Sequence, residues 1–136
     1  MVPFSPLARA FLTGKGMDVS RLPENDLRCT IARPRFEPEA FASNSRLLVP
    51  FAEIAEKNNC TMAQLALAWL LAQRQKNMVP IPGTKHIDFL VENSAASNLE
   101  LDDKTVETLD QLINEDTVIG KRYVDARMVE ADSERD

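Results

Sequence analysis

The residues best suited to chemistry in this 136-residue chain are Gly83, Thr84 and Lys85, inside the run VPIPGTKHIDFLVEN at 79–93. A short apolar strand, a tight glycine-containing turn and the start of a helix follow one another there. Backbone N–H groups at a helix start point outward, and the helix dipole adds partial positive charge. Gly83 lets the backbone approach a ligand closely. Thr84 adds a hydroxyl and Lys85 a full positive charge. Together they form a cradle for an anion, above all a phosphate. The same residues also suit an ordinary strand-to-helix turn carrying a surface lysine.

The elements that must position this turn read as alternating strand and helix. Residues 2–6 form a first short strand, closed where Pro6 removes a backbone donor. A partly helical turn follows, and Gly14 and Gly16 mark a break. Residues 15–43 are irregular and charged, with Pro23, Pro34 and Pro38. A segment of that length is either a binding loop or lid, or a solvated connection. Asn44 is predicted to cap a helix that places Leu47, Leu48, Phe51, Ile54 and Ala55 on one face and ends at Asn58 and Asn59.

Thr61-Met62-Ala63-Gln64 is a capping box. The helix behind it, to about Gln75, is apolar nearly all round and so is expected to be covered on more than one side. Trp69 within it is expected in the core. Residues 78–81 form the second strand, although Pro80 and Pro82 restrict it. The next helix is predicted to turn Ile87, Leu90, Val91 and Ala95 inward. Asp102 or Asp103 caps a last helix with Val106, Leu109, Leu112 and Ile113 on one face. After Gly120 a charged tail, 121–136, is expected to fray.

Composition bounds the function. The net charge of -5 comes from 16 basic and 21 acidic residues without a basic cluster, which argues against nucleic acid or an acidic membrane as partner. No apolar run is long enough to span a bilayer. The first residues lack the basic region of a signal peptide. The cysteines Cys29 and Cys60 have no CxxC spacing, and His86 is the single histidine. The expectation is a cytoplasmic protein with reduced thiols and no metal site.

Three blocks, FSPLARAFLTGK (4–15), CTMAQLALAWLLAQ (60–73) and VPIPGTKHIDFLVEN (79–93), resemble the last third of an aldo-keto reductase. PRF at 34–36 and GKRY at 120–123 fit the same pattern. The resemblance implies an α/β fold, the incomplete C-terminal portion of a TIM (β/α)8 barrel, mostly helical with two parallel strands. Residues 1–120 would be barrel and 121–136 a tail. It implies an NADP(H)-dependent oxidoreductase that reduces aldehydes and ketones by hydride transfer, with a nicotinamide dinucleotide and a small carbonyl compound as ligands. Phe4 would face the nicotinamide, and Ser5, Pro6 and Leu7 the diphosphate. Gly83, Thr84 and Lys85 would hold the 2′-phosphate, and Glu92 and Asn93 the adenine.

This chain departs from the family at several positions. Ala8 and Ala10 stand where glycine is usual. Phe89 replaces an arginine that supports phosphate and adenine. The catalytic Asp, Tyr, Lys and His come from earlier strands and map onto no residue here, and Tyr123 is not the catalytic tyrosine. The isolated chain is therefore expected to be inactive. The alternative is a non-enzymatic interaction module, or a subunit that completes a barrel by association. Its open strand edges would also allow self-association.

Overall fold

The computed structural model describes residues 1–15, 17–73 and 77–130. Among these are five α-helices: α1 (Pro38–Ser45), α2 (Leu48–Lys57), α3 (Met62–Ala72), α4 (Ile87–Ala95) and α5 (Asp103–Leu112). The chain divides into two compact units, Met1–Gly16 with Leu48–Leu112, and Met17–Leu47 with Ile113–Asp136. Among the described residues no helix is long and apolar enough to cross a membrane.

The first unit is built around α3. The capping box forms as its sequence dictates. The Gln64 amide N–H donates to Thr61 Oγ1 at 3.1 Å, and Thr61 N–H donates to Gln64 Oε1 at 3.0 Å. Because α3 is apolar on nearly every face, it packs against α2, α4 and α5 together. Phe51, Leu65, Leu67 and Leu109 are the largest fully buried side chains. Each contributes about 1.5–3 kcal/mol of burial. Asn59 ends α2 in a left-handed conformation (φ 51°), as its place at the predicted terminus requires. Trp69 is half-buried, and its indole N–H donates to Asp110 Oδ1 at 2.7 Å, tying α3 to α5. Helix α3 stops at Ala72; the predicted end at Gln75 lies outside the described residues. Asp102 caps α5 by accepting the Thr105 N–H at 2.7 Å, and this hydrogen bonding lowers its carboxyl pKa.

Trp69 therefore lies at the edge of the core and not inside it, and two larger expectations also fail in this unit. The two parallel strands reduce to one parallel bridge, Phe4 to Ile81. Val79 N–H donates to Met1 O at 2.9 Å and Ile81 N–H to Pro3 O at 3.4 Å. The ladder goes no further because Pro3, Pro6, Pro80 and Pro82 bring no N–H to it. The second failure concerns α4, where Ile87, Leu90 and Val91 are exposed instead of inward. The helix turns Asn93 inward, with Glu92 half-buried beside it, and the Gln64 amide of α3 donates to the Glu92 carbonyl at 3.2 Å. Helix α4 is thus tied to α3 by this polar bond, while Ile87, Leu90 and Val91 stay exposed.

Between the bridge and α2 the backbone is strained. Ala8, Arg9 and Ala10 all adopt left-handed conformations, with φ of 49°, 56° and 71°. The turn is held by Ala8 N–H to Ser5 O at 2.9 Å and by Thr13 Oγ1 to Ala10 O at 2.8 Å.

In the second unit the irregular stretch is more ordered than its composition suggests. Pro38 opens α1, where proline suits the first helical turn. Asn44 is buried inside α1 and is not a cap. It donates through Nδ2 to Ile119 O at 2.9 Å and accepts Ile119 N–H on Oδ1 at 2.8 Å. Gly120 (φ 91°) leaves no room for a side chain, since a Cβ there would lie 2.4 Å from the Pro34 carbonyl oxygen. Arg35 Nε donates to the Gly120 carbonyl at 3.0 Å. The start of the expected tail is anchored and not frayed: Tyr123 is buried, and Val124 N–H donates to Ile31 O at 2.8 Å. Residues 131–136 lie outside the described part. The Asp26 carboxylate accepts Arg28 Nε and one of its terminal nitrogens, each at 2.8 Å, and Arg28 draws its pKa down to about 2.

Two outcomes follow. Glycine relieves the left-handed penalty of about 1–2 kcal/mol per residue but loosens the unfolded chain. Ala10→Gly should therefore raise stability by about 0.5–1 kcal/mol in urea unfolding, whereas a loss would show the turn to be relaxed. Because the folded pKa of Asp26 is depressed, its contribution is present above about pH 4 and disappears as pH falls toward 2. The difference in urea midpoint between the unsubstituted chain and Asp26→Asn should be larger at neutral pH than near pH 2.5.

Candidate functional site

The Phe4–Ile81 bridge sets the residues after each partner side by side. Ser5, Pro6 and Leu7 leave one arm, and Pro82, Gly83 and Thr84 leave the other. Between them and α4 lies a cleft of about 450 Å³. This volume falls in the usual range for small-molecule sites. Of the residues singled out from sequence, Phe4, Ser5, Pro6, Leu7, Gly83, Thr84, Glu92 and Asn93 all line it. Lys85 is exposed and is not among the lining residues. The cleft thus gathers positions nearly ninety residues apart in sequence, all within the first unit.

Each wall has a physical origin. A Cβ on Gly83 would meet nothing within 4 Å, so no internal contact requires glycine there and the space beside it stays open. The Thr84 hydroxyl oxygen accepts the His86 N–H at 3.1 Å, a local turn that sets the approach to α4. His86, at the cap position of α4, makes no side-chain capping bond. The first amides of α4 are left to water or a ligand. Glu92 is held from behind by Gln64, which also closes the α3 capping box.

Sequence reasoning missed several lining residues. Arg9 and Lys15 bring positive charge, Thr13 a third hydroxyl beside those of Ser5 and Thr84, and Ala63 the start of α3. Lys15 Nζ stands 3.3 Å from the centroid of the Phe89 ring and 4.0 Å from Glu92 Oε2. His86 meets the same ring edge-on, with centroids 5.2 Å apart. The signal that could have found Lys15 is the glycine before it. Gly14 is left-handed (φ 68°), and a Cβ there would lie 2.5 Å from Met62 Sδ. That close approach to the start of α3 turns the next residue toward α4.

The cleft is therefore a mixed surface: apolar and aromatic at Phe4, Ile81 and Phe89, cationic at Lys15 and Arg9, with hydroxyls at Ser5, Thr13 and Thr84. It can bind flat rings and phosphate together. Cys60 offers no nucleophile, since burial pushes its thiol pKa up and its Sγ–H points to Ala55 O at 3.6 Å. Among the described residues no group of three His, Cys, Asp or Glu stands close enough to hold a metal ion.

A profile of the aldo/keto reductase family matches residues 1–114. The chain is 42% identical over 123 residues to the Schizosaccharomyces pombe aldo-keto reductase yakc, which carries NADP(+) in its name, covering 90% of this chain and 35% of that protein. It is 38% identical over 123 residues to a probable aldo-keto reductase of Glycine max, covering 90% and 34%. A solved glycerol dehydrogenase of Gluconobacter oxydans aligns with a TM-score of 0.69 over 80% of this chain and 32% of its own, at 23% identity, a likeness of fold alone. The chain belongs to the aldo/keto reductase family, a family of oxidoreductases. It spans 35% of the length of the first of these relatives and 34% of the second.

The Gln64 side chain both caps α3 and anchors the α4 wall, so Gln64→Ala should act at two places. We expect a loss of about 1–2 kcal/mol in urea unfolding. Faster amide exchange around Glu92 should accompany it. Loss of stability without altered exchange in α4 would confine Gln64 to the cap.

Proposed function

We propose that this chain is the cofactor-holding C-terminal part of an NADP(H)-dependent aldo-keto reductase that reduces aldehydes or ketones to alcohols. The observation that carries this reading is the convergence of Ser5–Leu7, Gly83–Thr84 and Glu92–Asn93 on one cleft that also contains two cations. A nicotinamide dinucleotide combines flat rings with phosphate, and the lining supplies a partner for each. Phe4 would lie against the nicotinamide, Ser5 to Leu7 along the diphosphate, and Glu92 and Asn93 at the adenine. Thr84 and the open space at Gly83 would receive the 2′-phosphate. Lys85, exposed beside them, would add charge from the rim.

The bound dinucleotide would supply the hydride. The chain's own residues bind and orient it, and supply no general acid within this cleft. The carbonyl oxygen must gain a proton in the reduction. That group would come from the part of the barrel that the relatives have and this chain does not span. The expected outcome is saturable binding of NADP+ to the chain, measured by calorimetry, with no NADPH-dependent reduction of test aldehydes. Thr84→Val should weaken NADP+ binding by roughly three- to tenfold for one lost hydrogen bond. Unchanged affinity would remove Thr84 from the site, and steady turnover by the chain would show the proton donor to be misplaced.

A second reading is favoured by a separate observation. Val2, Phe4, Val79 and Ile81 at the bridge, and Ile87, Leu90 and Val91 on α4, are all exposed. Exposed apolar side chains and unpaired extended backbone are surfaces on which another chain can pack. Under this reading the chain completes a barrel by association, with a second copy or with the earlier barrel strands. A mass measurement in solution separates the two: a monomer with a cooperative melt argues against association.

A further inference from the structure

In the second unit, residues 31–44 hold residues 119–124 through backbone atoms. Asn44 Oδ1 accepts the Ile119 N–H at 2.8 Å, and its Nδ2 donates to the Ile119 carbonyl at 2.9 Å. Arg35 Nε donates to the Gly120 carbonyl at 3.0 Å, and Val124 N–H donates to Ile31 O at 2.8 Å. Each of these bonds engages a main-chain group of the second segment, so none of them reads a side chain. Selection comes from elsewhere. A Cβ at Gly120 would collide with the Pro34 carbonyl, and φ there is 91°. Tyr123 is buried, as are Phe36 and Asn44 on the other segment. Ile119, by contrast, is 48% exposed, so its side chain is left unread. Main-chain bonds for affinity and a few side-chain positions for specificity are the means by which proteins read peptides.

We propose that residues 31–44 form a peptide-binding site for a segment of the form Gly-x-x-Tyr, filled in cis by residues 119–124. The glycine is required by the Pro34 carbonyl and the left-handed backbone, and the tyrosine by its burial. The site is independent of the cofactor reading and lies wholly within the second unit. A tethered segment has a high effective concentration that a free peptide must match, so the intact chain keeps the site closed to outside peptides. All the bonds that hold the segment are made inside this unit, so release requires only local opening there. Once vacated, the site takes the same segment from a second copy of the chain. Exchange of an identical element is a low-cost route to a dimer. It is a route separate from the exposed side chains at the bridge and on α4.

The test uses the full chain and its Gly120→Ala variant, with a labelled synthetic peptide of residues 115–126. Alanine rarely adopts this φ and its methyl group meets Pro34, so Gly120→Ala should empty the site. Amide exchange should then rise by roughly tenfold or more across 31–44 and 119–124, while α3 stays protected as before. By fluorescence anisotropy the peptide should bind Gly120→Ala roughly tenfold or more tightly than the unsubstituted chain, whose site is filled. A peptide itself carrying Gly120→Ala should bind neither chain. Asn44→Ala, which keeps the glycine, should also speed exchange at 119–124, and adding it to Gly120→Ala should weaken peptide binding roughly tenfold for two lost hydrogen bonds. Equal binding of the two peptides would overturn the proposal. So would unchanged exchange in both variants, or peptide binding to the unsubstituted chain as tight as to Gly120→Ala. Loss of α3 protection in both variants would overturn it too, since residues 119–124 would then belong to one global fold and could not act as a removable ligand.

Discussion

The bond from Gln64 to the Glu92 carbonyl is the constraint from which the rest of the site follows. Gln64 is committed in three directions: its backbone N–H to Thr61, its Oε1 to the Thr61 amide, and its Nε2 to α4. A helix start usually needs only the first two. The third ties α4 to the start of α3. With α4 tied there, Glu92, Asn93 and Phe89 face the cleft, while Ile87, Leu90 and Val91 face away from the core of the first unit. The apolar α3 provides the rigid support, because it is buried on several sides and cannot turn without exposing leucine.

Opposite this rigid wall stands a strained one. Four non-glycine residues between Ser5 and Ala10 have positive φ, and three of them line the cleft. Backbone held this way persists only where surrounding contacts over-determine it. Here those contacts are the bridge at Phe4, the turn bonds at Ala8 and Thr13, and the close fit of Gly14 against Met62. The strained turn carries Arg9 into the cleft and leads on to Lys15, so the unfavourable geometry and the positive charge come from one segment. Alanine at 8 and 10 makes that turn costlier than glycine would, which agrees with the family's usual choice at those positions.

Much of the site was legible before any coordinates. The blocks at 4–15 and 79–93 contain nearly every lining residue, and Gly83 and Thr84 of the expected cradle both stand at the cleft. Lys85 was grouped with them because it is adjacent in sequence, yet adjacency does not fix which way a side chain points in a turn. Lys15 was passed over because its partners, Phe89 and Glu92, lie more than seventy residues further on. Asn44 was read as a cap because asparagine before an apolar run favours that role. Its side chain instead pairs with both backbone groups of Ile119, a bond invisible in any local window.

The sequence by itself determined the features that depend on neighbours a few residues apart. These are the Thr61–Gln64 box, the Asn59 terminus, the Asp102 cap and the all-round apolar α3. Each is settled by short-range sterics or hydrogen bonding. Tertiary structure alone decided which face of α4 turns to the cleft, that residues 38–45 form a helix docked on Ile119, and that a lysine covers a phenylalanine ring at the candidate cofactor site. Those outcomes rest on contacts between distant segments, which no local window of the sequence contains.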